Sequence, residues 1–292
     1  MSIDLHIHSS NSDGTDKIED ILNIAIEQQL QAISITDHEF LSEVENTNLI
    51  EIIPGVEMSV SWYDLELENP FAGIHLLIYF LKKDTPIYEL LSKIRIEKKN
   101  RNYEILEKLK KVGVEIERKE LDDLETKVPG RPHIANLMKS KGYVASLNEA
   151  FKEYLGNGKV GDSRIHQNPI EEVIDCAKES KCLVFLAHPH TLMSNKDYSF
   201  SKNWYDSAFV DRLWSLKNLG IHGVETYYSS YSKTTSSTLS EIVNNMNLLK
   251  SGGSDYHGDN KPGINIGFGY ESNKLNISYE LLELMKEKHA EL

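Results

Sequence analysis

The chain has 292 residues, 40% of them hydrophobic, and a formal net charge of −13. Length and apolar content suffice for a substantial core, in one large domain or a domain carrying an insertion, and exclude a disordered chain. The acidic balance disfavours non-specific binding to long nucleic acid or anionic membrane, so a phosphate-bearing partner needs local positive charge from metal or clustered Arg and Lys. In chain order, Ile3 to Ile7 reads as a buried strand. Asp16 and Glu19 resemble a capping box, and Ile18, Ile21, Leu22, Ala25 and Ile26 follow at helical spacing. Residues 32–36 are a second strand, 50–56 a third broken by Pro54 and Gly55, and His75 opens a fourth that runs to Leu81. This β-α-β-β opening predicts an α/β fold with a partly parallel sheet.

Residues 85–161 differ. Ile87, Leu90, Leu91, Ile94, Ile105, Leu106, Leu109 and Val112 predict a long helix, or two in tandem, stopped near Gly113. Pro132 suits the first turn of a helix to about Ser140, and Ser146 with Glu149 repeats the capping pattern. Only 114–116 resembles a strand, so the segment reads as a helical insertion between 1–84 and 162–292. Alternation then resumes. A helix starts near Pro169 with Asn168 as its cap, and a strand follows at 183–187. A helix at 206–219, a strand at 223–227, a helix at 234–245 and a strand at 248–251 complete the series.

Cys176 and Cys182 show neither metal-ligand nor redox spacing and read as small core residues. The opening MSIDLHIHSS has no basic segment before a long apolar run, and no apolar stretch reaches the roughly 18 residues that span a bilayer. The expectation is a cytoplasmic protein.

The polar residues carry the functional signal. His6 and His8 lie two apart in a strand, so both imidazoles share a face. Asp13 follows in the turn 12–14. Asp37 and His38 directly follow the second strand, Glu57 the third, and His188 the strand at 183–187, while His75 opens the fourth. Asp255 and His257 come after the last strand and Gly252–Gly253. Residues past the carboxyl ends of strands converge on one face of an α/β fold. A set of imidazoles and carboxylates without Cys suits Mn²⁺, Fe²⁺ or Zn²⁺ in a catalytic rather than a structural site.

Six motifs in order resemble the PHP (polymerase and histidinol phosphatase) superfamily. They are Asp4-Leu5-His6-Ile7-His8-Ser9, Ser12-Asp13-Gly14, Ile35-Thr36-Asp37-His38, Pro54-Gly55-Val56-Glu57, Ala187-His188-Pro189 and Gly253-Ser254-Asp255-Tyr256-His257-Gly258. The runs 130–135 and 149–156 resemble its branch of nucleotide phosphatases and short 5′ exoribonucleases. The resemblance implies a distorted (β/α)7 barrel with a small helical insertion and two or three divalent ions, Mn²⁺ first among them. Its implied ligands are His6, His8, Asp13, His38, Glu57, His75, His188, Asp255 and His257, with Glu57 bridging two ions. Asp13, His38, Glu57, His188 and Asp255 would carry the catalysis. Two departures stand out: Glu39 takes a usual Asp position, and the 38–54 connection is short. His190, where Gly is common, is read as solvent-exposed rather than as a substrate contact.

The implied activity is hydrolysis of a phosphate ester, on a nucleoside 3′,5′-bisphosphate or 5′-monophosphate. Alternatives are 5′-to-3′ exonuclease action on short RNA, a histidinol phosphate phosphatase, or a non-catalytic metal-binding module. Arg131 suits bidentate phosphate binding, with His133 as a further donor and Arg101 and Arg164 as a second clamp. His166 ranks below Arg164. Lys93, Arg95, Lys98 and Lys99 with Glu97 read as a mixed exposed face. The exonuclease reading needs stacking aromatics, for which Trp62, Tyr63, Tyr227, Tyr228 and Tyr231 are candidates. His222 and His289 read as ordinary structure.

Overall fold

The computed structural model describes residues 2–45, 47–62, 71–156, 158–163, 168–193, 204–269 and 273–292. β1 (Ser2–Ile7) leads through α1 (Ile18–Glu27) to β2 (Leu30–Ile35), and the two strands pair in parallel. Both are buried almost throughout, as a parallel sheet covered on both faces requires. The run 50–56, expected as one strand, divides at Pro54. β3 (Glu51–Ile52) pairs with β2, whereas β4 (Gly55–Trp62) enters a second sheet. Pro54 has no N–H for a ladder. At Gly55 an added Cβ would lie 2.6 Å from Ser34 Oγ, so only glycine lets the chain cross that closely.

The second sheet has the order β6-β4-β5-β7-β8-β9. Here β5 is Phe71–Tyr79, β6 Asn168–Pro169, β7 Leu183–Leu186, β8 Gly223–Tyr228 and β9 Leu249–Gly253. β5 runs antiparallel to both its neighbours; the other pairs are parallel. His75 therefore lies within β5, opposite Ser59, rather than opening the strand. Isolated parallel bridges at Ile7–Tyr256 and His38–Glu57 join the two sheets. Among the described residues the ladders form no single closed sheet, and the architecture is mixed α/β.

α2 (Pro86–Lys110) is one continuous helix with two allegiances. Ile87, Leu90, Leu91 and Ile94 pack into the large core with β4, β5 and α6 (Ile170–Glu179). Ile105, Leu106 and Leu109 belong instead to a separate core with α3 (Arg118–Asp122), α4 (Arg131–Ser140) and α5 (Leu147–Ala150), which continues into a π turn at Phe151–Leu155. Residues 114–116 form no strand. Further helices α7 (Ser207–Leu219), α8 (Lys233–Asn245) and α9 (Glu280–Ala290) cover the second sheet and its edges. None of the described helices is long and apolar enough to cross a membrane.

Two expected caps go elsewhere. Asp16 does not cap α1; its carboxylate accepts the Tyr256 hydroxyl and so ties the first loop to the last. Asn168 does not cap α6 but pairs with β4 and donates to the Ser59 carbonyl. Asp206 and Ser146 do cap, accepting from Phe209 N and Glu149 N.

Candidate metal centre

Strand ends bring the imidazoles and carboxylates together. His6 and His8, on one face of β1, place their Nε2 atoms 3.1 Å apart. Glu57 Oε2 lies 3.3 Å from the first and 3.0 Å from the second, and Asp255 Oδ1 lies 3.5 Å from each. The other Glu57 oxygen, Oε1, is 2.8 Å from His75 Nδ1 and 2.9 Å from His188 Nε2. Asp13 stands 3.4 Å from His257 Nε2 and 3.6 Å from His38 Nε2. Three groups have ligand atoms within 4.8 Å of one another: His8, Asp13, His38 and His257; His6, His8 and Glu57; His38, Glu57 and His75. All nine residues expected at the centre are thus gathered, with Glu57 between the groups.

Local structure explains why they meet. Asp37 is fully buried and accepts from Ser9 N, Ser9 Oγ, Ser12 Oγ and Ser42 Oγ, which binds the loop carrying Asp13 to the end of β2. Asp4 accepts from the His6, Ser254 and Gly267 amides and holds β1 against the end of β9. Gly253 makes that approach possible, since a Cβ there would lie 2.4 Å from His6 Cβ. Glu39, His188 and Asp255 take left-handed backbone angles (φ +49°, +27° and +55°), a strained choice for non-glycine residues that clusters at functional sites.

The electrostatics ask for cations. Burial alone would raise the carboxyls of Asp13, Glu57 and Asp255, yet neighbouring imidazoles, and Lys261 at Asp255, hold all three well below the usual range. In return, although burial opposes it, Asp13 and Asp255 lift His257 to about 9, and Glu57 raises His75. His8 is pushed down to about 3 by burial and by His257. Among the described residues His38 Nδ1 is buried with no hydrogen-bond partner, Glu57 Oε2 lying 3.5 Å away. Imidazole nitrogens gathered with carboxylates across about 3 Å fit divalent ions with N/O ligands.

Basic side chains ring the cluster. Lys261 Nζ and the Tyr228 hydroxyl both contact Asp255 Oδ2, at 2.6 and 2.7 Å, leaving Oδ1 toward the histidines. Lys98 pairs with buried Glu39, and Arg95 donates to the Glu39 carbonyl. These two residues therefore turn inward from the face of α2 expected to be exposed. Arg101 is largely buried, its pKa lowered by burial and then by the charge of Arg131, and its Nε finds no acceptor among the described residues. Arg131 donates to the Leu155 carbonyl and lies 5.9 Å from the Phe151 ring centroid. His133 Nδ1 accepts from Gly130 N at 3.0 Å, and burial lowers the pKa of the ring. Arg164, His166 and Tyr63 lie outside the described residues.

Other expectations change. His190 is not solvent-exposed: its Nδ1 lies 2.7 Å from the Tyr231 hydroxyl, and burial with His188 pushes its pKa to about 3. Trp62 is core and offers no free stacking face, while Tyr227 packs partly buried against the second core. His222 accepts from Val184 N, and His289 stacks on Phe80, as ordinary structure. Glu225 was missed. Its carboxylate contacts His6 Nδ1 and the His188 amide. A lone acid inside the buried strand Gly223–Tyr228 was the available signal, because buried charges persist only when paired.

The PHP domain pattern matches residues 4–156, more than half of the sequence. The chain belongs to the PHP domain family. This PHP protein is 26% identical to a 5′-3′ exoribonuclease of Haemophilus influenzae, over 87% of its own length and 89% of the relative's. It is 24% identical to a phosphoribosyl 1,2-cyclic phosphate 1,2-diphosphodiesterase of Eggerthella lenta (92% and 98% covered). It is 23% identical to a 3′,5′-nucleoside bisphosphate phosphatase of Chromobacterium violaceum (91% and 90%). Its fold matches that of a Bifidobacterium adolescentis chain, described there as a metal-dependent phosphoesterase, with a TM-score of 0.76, 20% identity and coverage of 99% and 96%. The three named relatives all cleave phosphate esters, in line with the activity implied by the motifs.

Proposed function

We propose that this PHP protein is a metal-dependent phosphatase acting on the 3′-phosphate of a small nucleotide that also carries a 5′-phosphate. The observation that carries the reading is the pairing of two anion-seeking places: the His/Asp/Glu cluster with ions bound, and the Arg101–Arg131 pair, where Arg101 Nε is buried with no acceptor among the described residues. Two guanidinium groups whose charges repel in partial burial favour an anion between them. A nucleoside 3′,5′-bisphosphate offers one phosphate to each place.

His6, His8, Asp13, His38, Glu57, His75, His188, Asp255 and His257 would hold two or three divalent ions, with Mn²⁺, Fe²⁺ or Zn²⁺ suited to such ligands and Glu57 placed to serve two of them. Ions held there would lower the pKa of water toward neutrality and offset charge on phosphoryl oxygens. The chain's own groups do the rest. Arg101 and Arg131 fix the distal phosphate and so orient the reacting phosphorus. Lys261 and Tyr228 hold Asp255 in one rotamer. Three carboxylates neutralise only part of the charge of two or three divalent ions, so the site attracts a dianion although the protein is acidic. The two bridged sheets correspond in this reading to a distorted (β/α)7 barrel, with 85–161 as the insertion that brings the clamp.

The match to an exoribonuclease supports a second reading. A 5′-phosphorylated RNA presents the same 5′-phosphate and a 3′-phosphate esterified a second time, through oxygen, to the next nucleotide. Phosphate release by Mn²⁺-loaded protein from a nucleoside 3′,5′-bisphosphate, a 5′-monophosphate and a 5′-phosphorylated short RNA separates them. The expected result is rapid release from the bisphosphate, lost in Asp13→Ala and Asp255→Ala. Mononucleotide release from RNA at a higher kcat/KM would replace the phosphatase with the nuclease. Activity that survives both substitutions would remove the cluster from the mechanism.

A further inference from the structure

We propose that Glu225 is a positioning residue of the metal centre: one buried carboxylate sets both the tautomer of His6 and the main chain of His188. The inference rests on the reading of that cluster as metal ligands. Glu225 lies on β8 and is fully buried. Its Oε1 is 2.9 Å from His6 Nδ1, and its Oε2 accepts the His188 N–H at 2.7 Å. Facing Nδ1, the Glu225 carboxylate accepts its N–H, so a His6 ring that ligates as the neutral imidazole keeps its proton on Nδ1 and offers the Nε2 lone pair. That Nε2 is the atom facing Glu57 and His8 Nε2.

The second oxygen acts on backbone. His188 holds φ at +27°, a conformation that persists only where its surroundings impose it. Its amide, fixed to Glu225, directs the ring back so that Nε2 reaches Glu57 Oε1 at 2.9 Å. One side chain on β8 thus orients ligands delivered by β1 and by the end of β7. Carboxylates behind ligating imidazoles fix ring orientation in this way.

Both partners of Glu225 are donors, which makes the isosteric amide a sharp test. Glu225→Gln preserves volume but offers one acceptor and one NH2. If its oxygen faces His6, the NH2 opposes the His188 N–H. If it turns over, the NH2 faces His6 Nδ1, which must then accept, and the proton moves to Nε2 where it blocks ligation. Either orientation damages one ligand.

The experiment compares Zn²⁺ binding by full-length wild type and Glu225→Gln through competition with a chromophoric chelator, together with histidine ¹⁵N spectra of the Zn²⁺-loaded proteins. The expected result is a loss of affinity of about 10–100-fold in the variant. Wild-type His6 should carry its proton on Nδ1, and the variant should show an altered His6 or His188 pattern. Unchanged affinity with unchanged ring signals overturns the proposal. Should the variant fail to fold, the wild-type spectrum decides, because a His6 proton on Nε2 is incompatible with the proposed arrangement. Wild type that binds no Zn²⁺ would sink the metal reading itself, a different outcome from equal binding by both proteins.

Discussion

A carboxylate as deep as Glu39 needs a permanent partner. It has no exposed surface, and Lys98 from α2 supplies the charge while Ser59 N donates to its other oxygen. Removing one member of a buried pair strands the other, at a cost of about 3–5 kcal/mol. Lys98→Met should therefore lower the urea midpoint strongly, whereas Lys152→Met, on the exposed Lys152–Glu153 pair, should barely move it. Equal midpoints for the two variants would show that Glu39 does not depend on Lys98. At this scale the sequence was informative where chemistry and position coincide. His6, His8, Asp13, His38, His188, Asp255 and His257 follow strand pattern or strand ends, and so their convergence was legible; Glu57, expected just past a strand ending at Val56, instead lies inside β4, and only its motif marked it. Lys98 and Arg95 were not, because a basic residue on an amphipathic helix looks the same whether it points to water or to a buried acid. Glu225 and Lys261 touch the cluster from behind its side chains, and local spacing marks neither contact, although a lone acid inside the buried β8 hints at the first.

At the scale of elements, α2 is the member whose two halves do different work. Leu91 is fully buried in the large core at its beginning. Leu91→Ala should cost about 2–5 kcal/mol as a cavity in a packed core. A chemical denaturation curve shifted by under 1 kcal/mol would mean that the near half of the helix is not anchored as described. The helix itself was legible from its apolar spacing over 87–112. Its division between two cores was not, since periodicity reports a buried face and not what buries it. The strand at 50–56 failed for a related reason: an apolar run with Pro in its middle reads equally as one interrupted strand or as two strands in different sheets. The short pairing of Asn168–Pro169 with β4 was hidden by a convincing capping pattern.

For the whole molecule, the metal centre links folding, protons and ions. Metal-free, the fold holds a proton on His257, with a pKa of about 9 against an ordinary 6.5. That raised value stabilises the metal-free fold fully below about 6.5, and the contribution is lost as pH rises through about 9. Ion binding requires the neutral imidazole and so strengthens across the same window. The gap in Tm between Mn²⁺-loaded and chelated protein should widen from about pH 6.5 to about pH 9, toward the ~4 kcal/mol that a thousandfold excess over Kd supplies. A gap that stays constant or narrows would separate His257 from the ions. The shared helix has a mechanical consequence as well. Arg101 lies fifteen residues beyond Pro86 on α2, about 22 Å along a rigid rod at 1.5 Å per residue. A tilt of only about 5° at its seat in the large core would carry that guanidinium about 2 Å, farther than a charge-assisted hydrogen bond tolerates. α2 is in this sense a lever whose fulcrum lies in one core and whose load lies in the other. On the proposed clamp role of Arg101, substrate preference can drift through substitutions at the fulcrum, among residues that never meet a substrate.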